Sequence, residues 1–355
     1  MKHADYLIIG QGLAGSCLAM ELVGRGKSVF VIDALDPNSG SRVAAGMFNP
    51  VTSKVRQPTW MASELFPHMD GFYRRMADLL KTDFYHPLPM YRPFPAASDQ
   101  TGWKEAANPF VAAIRPPHHH RTFVRDPFGG IELDGSGYCD TILYITAVRN
   151  WLLDRGMLAE DHVDPAEFTD AGWLERYGVT SRVMIYCEGV GVTRNPLFNW
   201  LPIRPLKGEV IEVEAGLPSD VLFNRGAWLV PKSQALNSQT FRAGSTYDHH
   251  IAPGNTEAGM TAIRARLESL LAVPFRQTGA SWGLRPTVPD RRPVIGAHPE
   301  RPQFWCFNGL GTKGVTLAPW FAAHLADVLE SGVPILSEAN ISRFYPLYFK
   351  SFPTT

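Results

Sequence analysis

Residues 6–33, YLIIGQGLAGSCLAMELVGRGKSVFVID, decide the fold. Tyr6 to Ile9 is a short apolar run ending in glycine, the pattern of a buried parallel strand. Gly10 permits a tight turn, Gly12 lets a backbone approach a phosphate, and Gly15 lets a helix pack closely on the strand. The helix that follows the turn, Ser16 to Gly26, offers free N–H groups and a positive dipole end to a pyrophosphate. Asp33 closes the next strand 18 residues after Gly15, where a carboxylate can accept from ribose 2′- and 3′-hydroxyls. A lone GxGxxG says little. Strand, turn, helix, strand and acid within about 30 residues form the dinucleotide fingerprint. The plain alternative is a βαβ unit whose glycine turn holds no ligand. Asp33 disfavours a 2′-phosphate, so FAD or NAD fits better than NADP.

The chain of 355 residues is long enough for about two domains. It is 45% hydrophobic and 19% charged, an ordinary globular composition. Lys+Arg and Asp+Glu are 34 each, so no net charge draws the whole chain toward nucleic acid or acidic lipid. Cys17, Cys139, Cys187 and Cys306 lie far apart without CxxC spacing, which gives no metal or redox motif and suggests a reducing compartment. A first strand by Tyr6 leaves no room for a signal peptide, and no apolar run is long enough for a bilayer. A cytoplasmic location is the expectation.

After Asp33 and Ala34, the polar, glycine-rich stretch Pro37 to Lys54 reads as loop. Within it Ser41, Arg42, Val43, Ala44, Ala45, Gly46 and Met47 suit a backbone lying against a flat ligand. Ser63 to Leu80 has apolar residues at helical spacing. Phe84 to Phe128, rich in proline and aromatics, reads as short strands and loops. Its His118–His120 run cannot face one metal from a regular element, so a solvated turn is expected there, as for His249 and His250. No metal site is expected.

Asp140 is expected to cap a helix to about Arg155, with Ile142, Leu143, Ile145, Ala147, Val148, Trp151 and Leu152 inward. Arg182 to Gly189 is another buried-strand run ending in glycine. Arg204 to Glu214 alternates Val210, Ile211 and Val213 with acids and reads as a half-exposed strand. Ala227–Pro231 and Thr240–Thr246 continue an antiparallel pattern, and Thr256 caps an amphipathic helix to Leu271. Gln303 to Pro319 is a second strand–glycine turn, followed by a helix from about Trp320 to Glu330. A β-rich segment thus interrupts an α/β one.

Several motifs occur in one order: Gly10/Gly12/Gly15 with Asp33; Ala44-Ala45-Gly46; Pro205 with Lys207-Gly208-Glu209; and Leu229-Val230-Pro231. Gly283-Leu284-Arg285-Pro286 with Asp290 and Pro293–Gly296 follows, then Gly309, Gly314 and Leu317-Ala318-Pro319. On these, nearly the whole chain resembles the D-amino acid oxidase/glycine oxidase superfamily of flavoproteins.

The resemblance implies an α/β plus α+β fold. An FAD-binding Rossmann-type domain (1–58, 136–204 and 283–355) would interleave with a mixed antiparallel-sheet substrate domain (59–135 and 205–282). It implies non-covalent FAD, since the Ser41–Gly46 loop has neither His nor Cys, and Cys306 reads as a core thiol. The cofactor would lie against Gly10, Gly12, Leu13, Ala14, Gly15, Asp33, Ala34, Ser41, Arg42, Ala44, Ala45, Gly46, Met47, Val163, Glu188, Gly189, Gly309, Gly311, Thr312, Lys313 and Gly314. The reaction implied is hydride removal from a carbon bearing an amine, giving an imine, with oxygen or another acceptor reoxidising the flavin.

Arg285 matches the position that binds substrate carboxylate in such oxidases, and its planar fork suits that pairing. The alternative is an arginine tying strand-end carbonyls. Lys313 either supports charge at the flavin edge or is merely solvated. Trp228 stands where glycine oxidases often have tyrosine, which removes a hydroxyl and leaves an apolar wall. Glu188, in place of a small residue, reads either as a surface acid or as a cofactor neighbour. The expected partner is a small amine or amino acid, with neither membrane nor nucleic acid. The competing readings are a tRNA-base-modifying FAD oxidase, a 2-hydroxy-acid dehydrogenase and a non-catalytic flavin-binding protein. For tRNA the local basic candidates are Arg74-Arg75, Arg291-Arg292 and the His118–His120 turn.

Overall fold

The computed structural model describes residues 2–52, 55–163, 176–232 and 239–351. A six-stranded sheet runs in the order Leu158–Glu160, Val29–Asp33, Tyr6–Ile9, Val183–Tyr186, Phe304–Asn308, Val294–Ala297. All its pairings are parallel except the last. The strands are short and apolar because both faces are covered. One face carries the helices Leu13–Gly24 and Gly314–Ser331, which pack on each other. The helix Ala62–Leu80 packs on the second of these and joins the same core.

An eight-stranded mixed sheet forms the second layer system. Its order is Phe275–Thr287, Arg204–Ala215, Thr240–Gly244, Ala227–Pro231, Leu222–Arg225, Met90–Pro93, Gly130–Leu133, Val111–Arg115. Alternation sorts its side chains. Tyr91, Phe223, Leu229, Phe241 and Ala243 pack with Ile263 and Leu267 of the helix Glu257–Leu270. Met90, Leu222 and Val230 face the other way, toward Ala45 and Val51.

Several local readings hold. Asp140 accepts from the N–H groups of Ile142 and Leu143, and Thr256 from that of Gly259. Cys306 is fully buried. Three readings are corrected. Arg204–Ala215 is not half-exposed: it lies between two strands, and Val210, Ile211 and Val213 are buried. Its Lys207 and Glu209 are buried too and pair at 3.2 Å. In the helix Thr141–Leu153 the buried face is Thr141, Tyr144, Ile145, Val148, Arg149 and Leu152, while Leu143 is exposed. The last long helix starts at Gly314, not Trp320, and keeps Pro319 inside. A proline there cannot donate to the carbonyl of Val315. The Tyr73 hydroxyl donates to that carbonyl instead, at 3.1 Å.

The stretch Pro37–Lys54 is loop with three short elements, the helical turn Gly40–Val43 and the strands Met47–Phe48 and Val51–Thr52. Ser53 and Lys54 lie outside the described residues. Among the described residues, no helix is long and apolar enough to cross a membrane.

Candidate active site

Three strands of the parallel sheet deliver their carboxyl ends to one place: Gly10, Cys187–Gly189 and Gly309. Ligands of open α/β sheets bind at such an edge. Gly10 has φ +94°, and a Cβ on it would stand 2.6 Å from the Cys187 carbonyl oxygen. A Cβ on Gly15 would stand 1.9 Å from the Gly10 carbonyl, so glycine there is a steric requirement of helix-on-strand packing. The helix Leu13–Gly24 has no side-chain cap and no acid in its first turn, and Gly314–Ser331 shares both features. The two N-termini are neighbours, since a Cβ on Gly314 would lie 3.1 Å from Leu13 Cδ1. Two uncapped helix ends and a cradle of glycine backbone fit the pyrophosphate of a dinucleotide.

Asp33 stands beside this cradle. Its Oδ1 accepts from the Gln11 N–H at 2.8 Å, and its Oδ2 from the Leu35 N–H and Arg149 Nη1, both at 2.9 Å. A carboxylate has about four acceptor positions, so room for one ribose hydroxyl remains. Sequence reading missed Arg149. It is only 4% exposed and also holds Glu160 at 2.9 Å. Ser41 Oγ accepts from the Leu13 N–H at 3.0 Å, which brings the Ser41–Gly46 loop against the first glycine turn. Arg42 lies in the field of Asp33 and Arg149, and burial lowers its pKa. Ala34 is exposed, whereas Ala14, Ala45, Gly46 and Val163 are buried, and Ala44 and Met47 are half-buried.

Glu188 adjoins both glycine turns. Its Cα would lie 3.3 Å from a Cβ on Gly10. The next residue, Gly189, accepts through its carbonyl from Asn308 Nδ2 at 2.9 Å. Glu188 Oε2 accepts from Asn195 Nδ2 at 2.8 Å. Burial raises its pKa to about 7, against the opposing pull of Asn195 and Arg194.

At the second turn, the Gly311 N–H donates to the Pro286 carbonyl at 3.0 Å, tying the turn to the strand that carries Arg285. Thr312 and Lys313 are exposed by accessible area. The Lys313 ammonium is nonetheless hydrogen-bonded to Thr59 Oγ1. Its pKa is lowered, first by desolvation and then by Arg292 and Arg291.

A cavity of about 250 Å³ opens on the face of the eight-stranded sheet that points to the Ala45–Asn49 segment. Its wall includes Met47, Asn49, Arg92, Asn224, Trp228 and Tyr247. Arg285 stands behind it: Nη2 donates to Ser245 Oγ at 2.9 Å, Nη1 to the Thr246 carbonyl at 3.3 Å, and the guanidinium lies 5.0 Å from the Tyr247 ring centroid. The space it fills exists because residue 208 is glycine, since a Cβ there would come within 2.3 Å of the guanidinium. Burial lowers the Arg285 pKa. A larger hollow of about 430 Å³, walled by Arg125, Arg264 and Glu268, lies by the helix Glu257–Leu270 on the opposite face, away from both glycine turns.

The His118–His120 run is a turn. His119 Nε2 and His120 Nε2 stand 3.4 and 4.0 Å from Glu132 Oε1, so two of the three do converge on one carboxylate. Arg115, 2.6 Å from the other oxygen of Glu132, already supplies that carboxylate with a cation.

A dinucleotide-binding parallel sheet, a second glycine turn beside the first, and a second sheet with an arginine behind its cavity define a redox flavoprotein. The chain belongs to the family of FAD dependent oxidoreductases, which it matches over residues 5–328. It is 26% identical over 373 residues to the bifunctional protein ThiO/ThiG of Trichormus variabilis, covering 96% of this chain and 55% of that one. It is 25% identical over 399 residues to the tRNA 5-methylaminomethyl-2-thiouridine biosynthesis bifunctional protein MnmC of Aromatoleum aromaticum, covering 96% and 58%. The chain thus spans little more than half the length of these relatives. Its fold is that of the iminodiacetate oxidase of Chelativorans sp. BNC1, with TM-score 0.73, 19% identity, and 93% and 96% of the two chains covered. The protein is therefore an FAD-dependent enzyme. Its four cysteines are all free and buried.

Proposed function

We propose that this protein is an FAD-dependent oxidase or dehydrogenase of a small amine or amino acid. The observation that carries the reading is Arg285, held just behind the wall of the roof cavity by Ser245 and Thr246 and joined to the second glycine turn through Pro286. When bound, FAD accepts the hydride from the carbon bearing the amine. The rest falls to the chain. Arg285 orients a carboxylate by charge-assisted hydrogen bonds. Trp228 closes one wall without a hydroxyl of its own and turns the substrate's apolar part toward the cofactor. Lys313, whose pKa is lowered by burial and then by Arg292 and Arg291, and the N–H groups opening Gly314–Ser331 favour negative charge at the cofactor edge. We further propose the interleaved division at 58, 135, 204 and 282, with the helix Ala62–Leu80 lying across it onto the dinucleotide unit.

Anaerobic addition of amino acids and amines should bleach the yellow protein with at least one of them. In Arg285→Ala, KM for carboxylate-bearing substrates should rise by about a hundredfold, the loss of about two charge-assisted bonds. Unchanged oxidation by that variant would overturn the assignment, and bleaching by 2-hydroxy acids alone would redirect it. The tRNA reading stands second. Two of its candidate cations are occupied: Arg74 pairs with Asp70 at 2.9 Å, and Arg292 lies 4.2 Å over the Trp60 ring.

A further inference from the structure

On the face of the eight-stranded sheet away from the roof cavity, two histidines and a carboxylate meet. Ile131 and Leu133 belong to the cluster that faces Ala45 and Val51, so Glu132 between them points the other way. Its register partner is Tyr91. The centroid of the Tyr91 ring lies 4.5 Å from that of His120 and 6.0 Å from that of His119. The turn that carries both histidines is pinned by Asp126. One carboxylate oxygen, Oδ2, accepts from the His120 N–H and from the Tyr91 hydroxyl, each at 2.9 Å. The Asp126 carbonyl accepts from the His118 N–H at 3.0 Å. Backbone bonds and a buried carboxylate thus set the turn over Glu132 without using the imidazole nitrogens.

Those nitrogens and Glu132 Oε1 are spaced for a third body between them. His119 Nε2 stands 3.4 Å and His120 Nε2 4.0 Å from Oε1. Both separations exceed the ordinary N–H···O range of about 2.7–3.2 Å. An ion bonded at about 2.0–2.2 Å to nitrogen and oxygen in a tetrahedron sets its ligands about 3.3–3.5 Å apart. One ligand atom from each of His119, His120 and Glu132 lies within 4.8 Å of the other two, so a small closure brings all three to that spacing. Arg115 Nη2 donates to the other oxygen, Oε2, at 2.6 Å, and leaves Oε1 to the histidines. A donor on the outer oxygen is what orients a ligating carboxylate in metal sites. Its positive charge also weakens attraction for an ion, and Asp126 behind the turn offsets part of that.

We propose that His119, His120 and Glu132 bind one divalent ion of the zinc class, with water in the fourth position, as a clip between the turn and the strand Gly130–Leu133. Two imidazoles and one carboxylate suit Zn²⁺, whereas Mg²⁺ and Ca²⁺ take oxygen ligands. The clip lies on the sheet face opposite the roof cavity, so its effect falls on the stability of this sheet edge and not on the flavin.

The probes are Zn²⁺ and Co²⁺, each dialysed against the chelator-treated holoenzyme carrying no affinity tag. The unaltered protein should retain one Zn²⁺ per chain, and Co²⁺ in its place should show the intense visible bands of a tetrahedral ion. Glu132→Gln and His119→Ala should each weaken binding by at least about tenfold, no less than the loss of an outer-shell partner costs. His249→Ala, in the other histidine pair, should leave it unchanged. At about a hundredfold excess of Zn²⁺ over Kd, melting of the unaltered protein should rise by about 3 °C, and that of Glu132→Gln should not. The flavin spectrum should not move on loading. An unaltered protein that retains no stoichiometric ion overturns the proposal, whether or not any variant folds. Octahedral Co²⁺ overturns it too, as does binding that survives undiminished in both Glu132→Gln and His119→Ala.

Discussion

The two ends of the ligand site are built from different materials. At the Gly10 turn the chain uses backbone, with glycines where a Cβ would strike a carbonyl, uncapped helix N–H groups, and one acid locked by two N–H groups and Arg149. At the roof it uses side chains, Arg92, Asn224, Trp228 and Arg285, drawn from strands far apart in sequence. Backbone cradles bind what is common to every dinucleotide. Side chains on a sheet face are exchangeable without disturbing the ladder, and discrimination between substrates can be varied there.

The sharpest way to break the comparison is to put a side chain into the cradle. Gly15→Val places a Cβ where the Gly10 carbonyl stands, in a helix start with no room to shift. The expected outcome is a colourless or insoluble protein, checked by flavin absorbance after purification. A yellow, soluble variant would show that the first turn does not fix the cofactor. Arg285→Ala, by contrast, should leave a yellow protein that has lost affinity for its carboxylate substrate.

The same contrast explains what the sequence disclosed. The glycine turns, the acid at Asp33 and the caps at Asp140 and Thr256 are local: each is written within a few residues of the chemistry it serves. Arg149 was missed because it meets Asp33 across a sequence separation of 116, on a helix whose inward face reads as apolar. Arg92 and Asn224 were missed because a parallel pairing brings Met90–Pro93 beside Leu222–Arg225, and no local pattern marks that crossover. Arg204–Ala215 was misread for a related reason. Its acids looked like an exposed face, but two flanking strands bury the strand, and Glu209 is satisfied by Lys207, Thr246 and Thr256. Arg285 was legible only through the family motif, not through spacing.

A smaller effect comes from the buried pair that sets the acid. Asp33→Ala leaves Arg149 with Glu160, the Gln11 amide oxygen and the backbone carbonyl of residue 33, and removing one partner of a buried pair costs about 3–5 kcal/mol. Arg149→Met removes the cation but leaves Asp33 two N–H donors, so it should cost less. The double variant should cost less than the sum of the singles, measured by denaturant unfolding of the flavin-free protein. Strict additivity would show that the pair is not coupled.

The smallest effect tests Glu188, the one side chain that intrudes on the backbone end. Its folded pKa of about 7 lies above that of an exposed glutamate, because burial outweighs the help of Asn195 and Arg194. Between the two values the folded state holds more protons than the unfolded one, so stability falls as pH rises through about 7. Below the unfolded pKa the penalty is absent; above pH 7 it is fully present. Its upper bound is about 3 kcal/mol, reduced to the extent that solvent reaches this half-buried carboxylate. Glu188→Gln keeps an oxygen for Asn195 Nδ2 and does not titrate. The variant should therefore melt with the parent near pH 4 and a few degrees above it at pH 8. FAD should retain better in the variant at pH 8 as well, because the pyrophosphate would no longer face a carboxylate beside Gly10. A variant less stable than the parent at pH 8 would mean that ionised Glu188 is paired and stabilising, and would make this side chain part of the cradle instead of an intrusion on it.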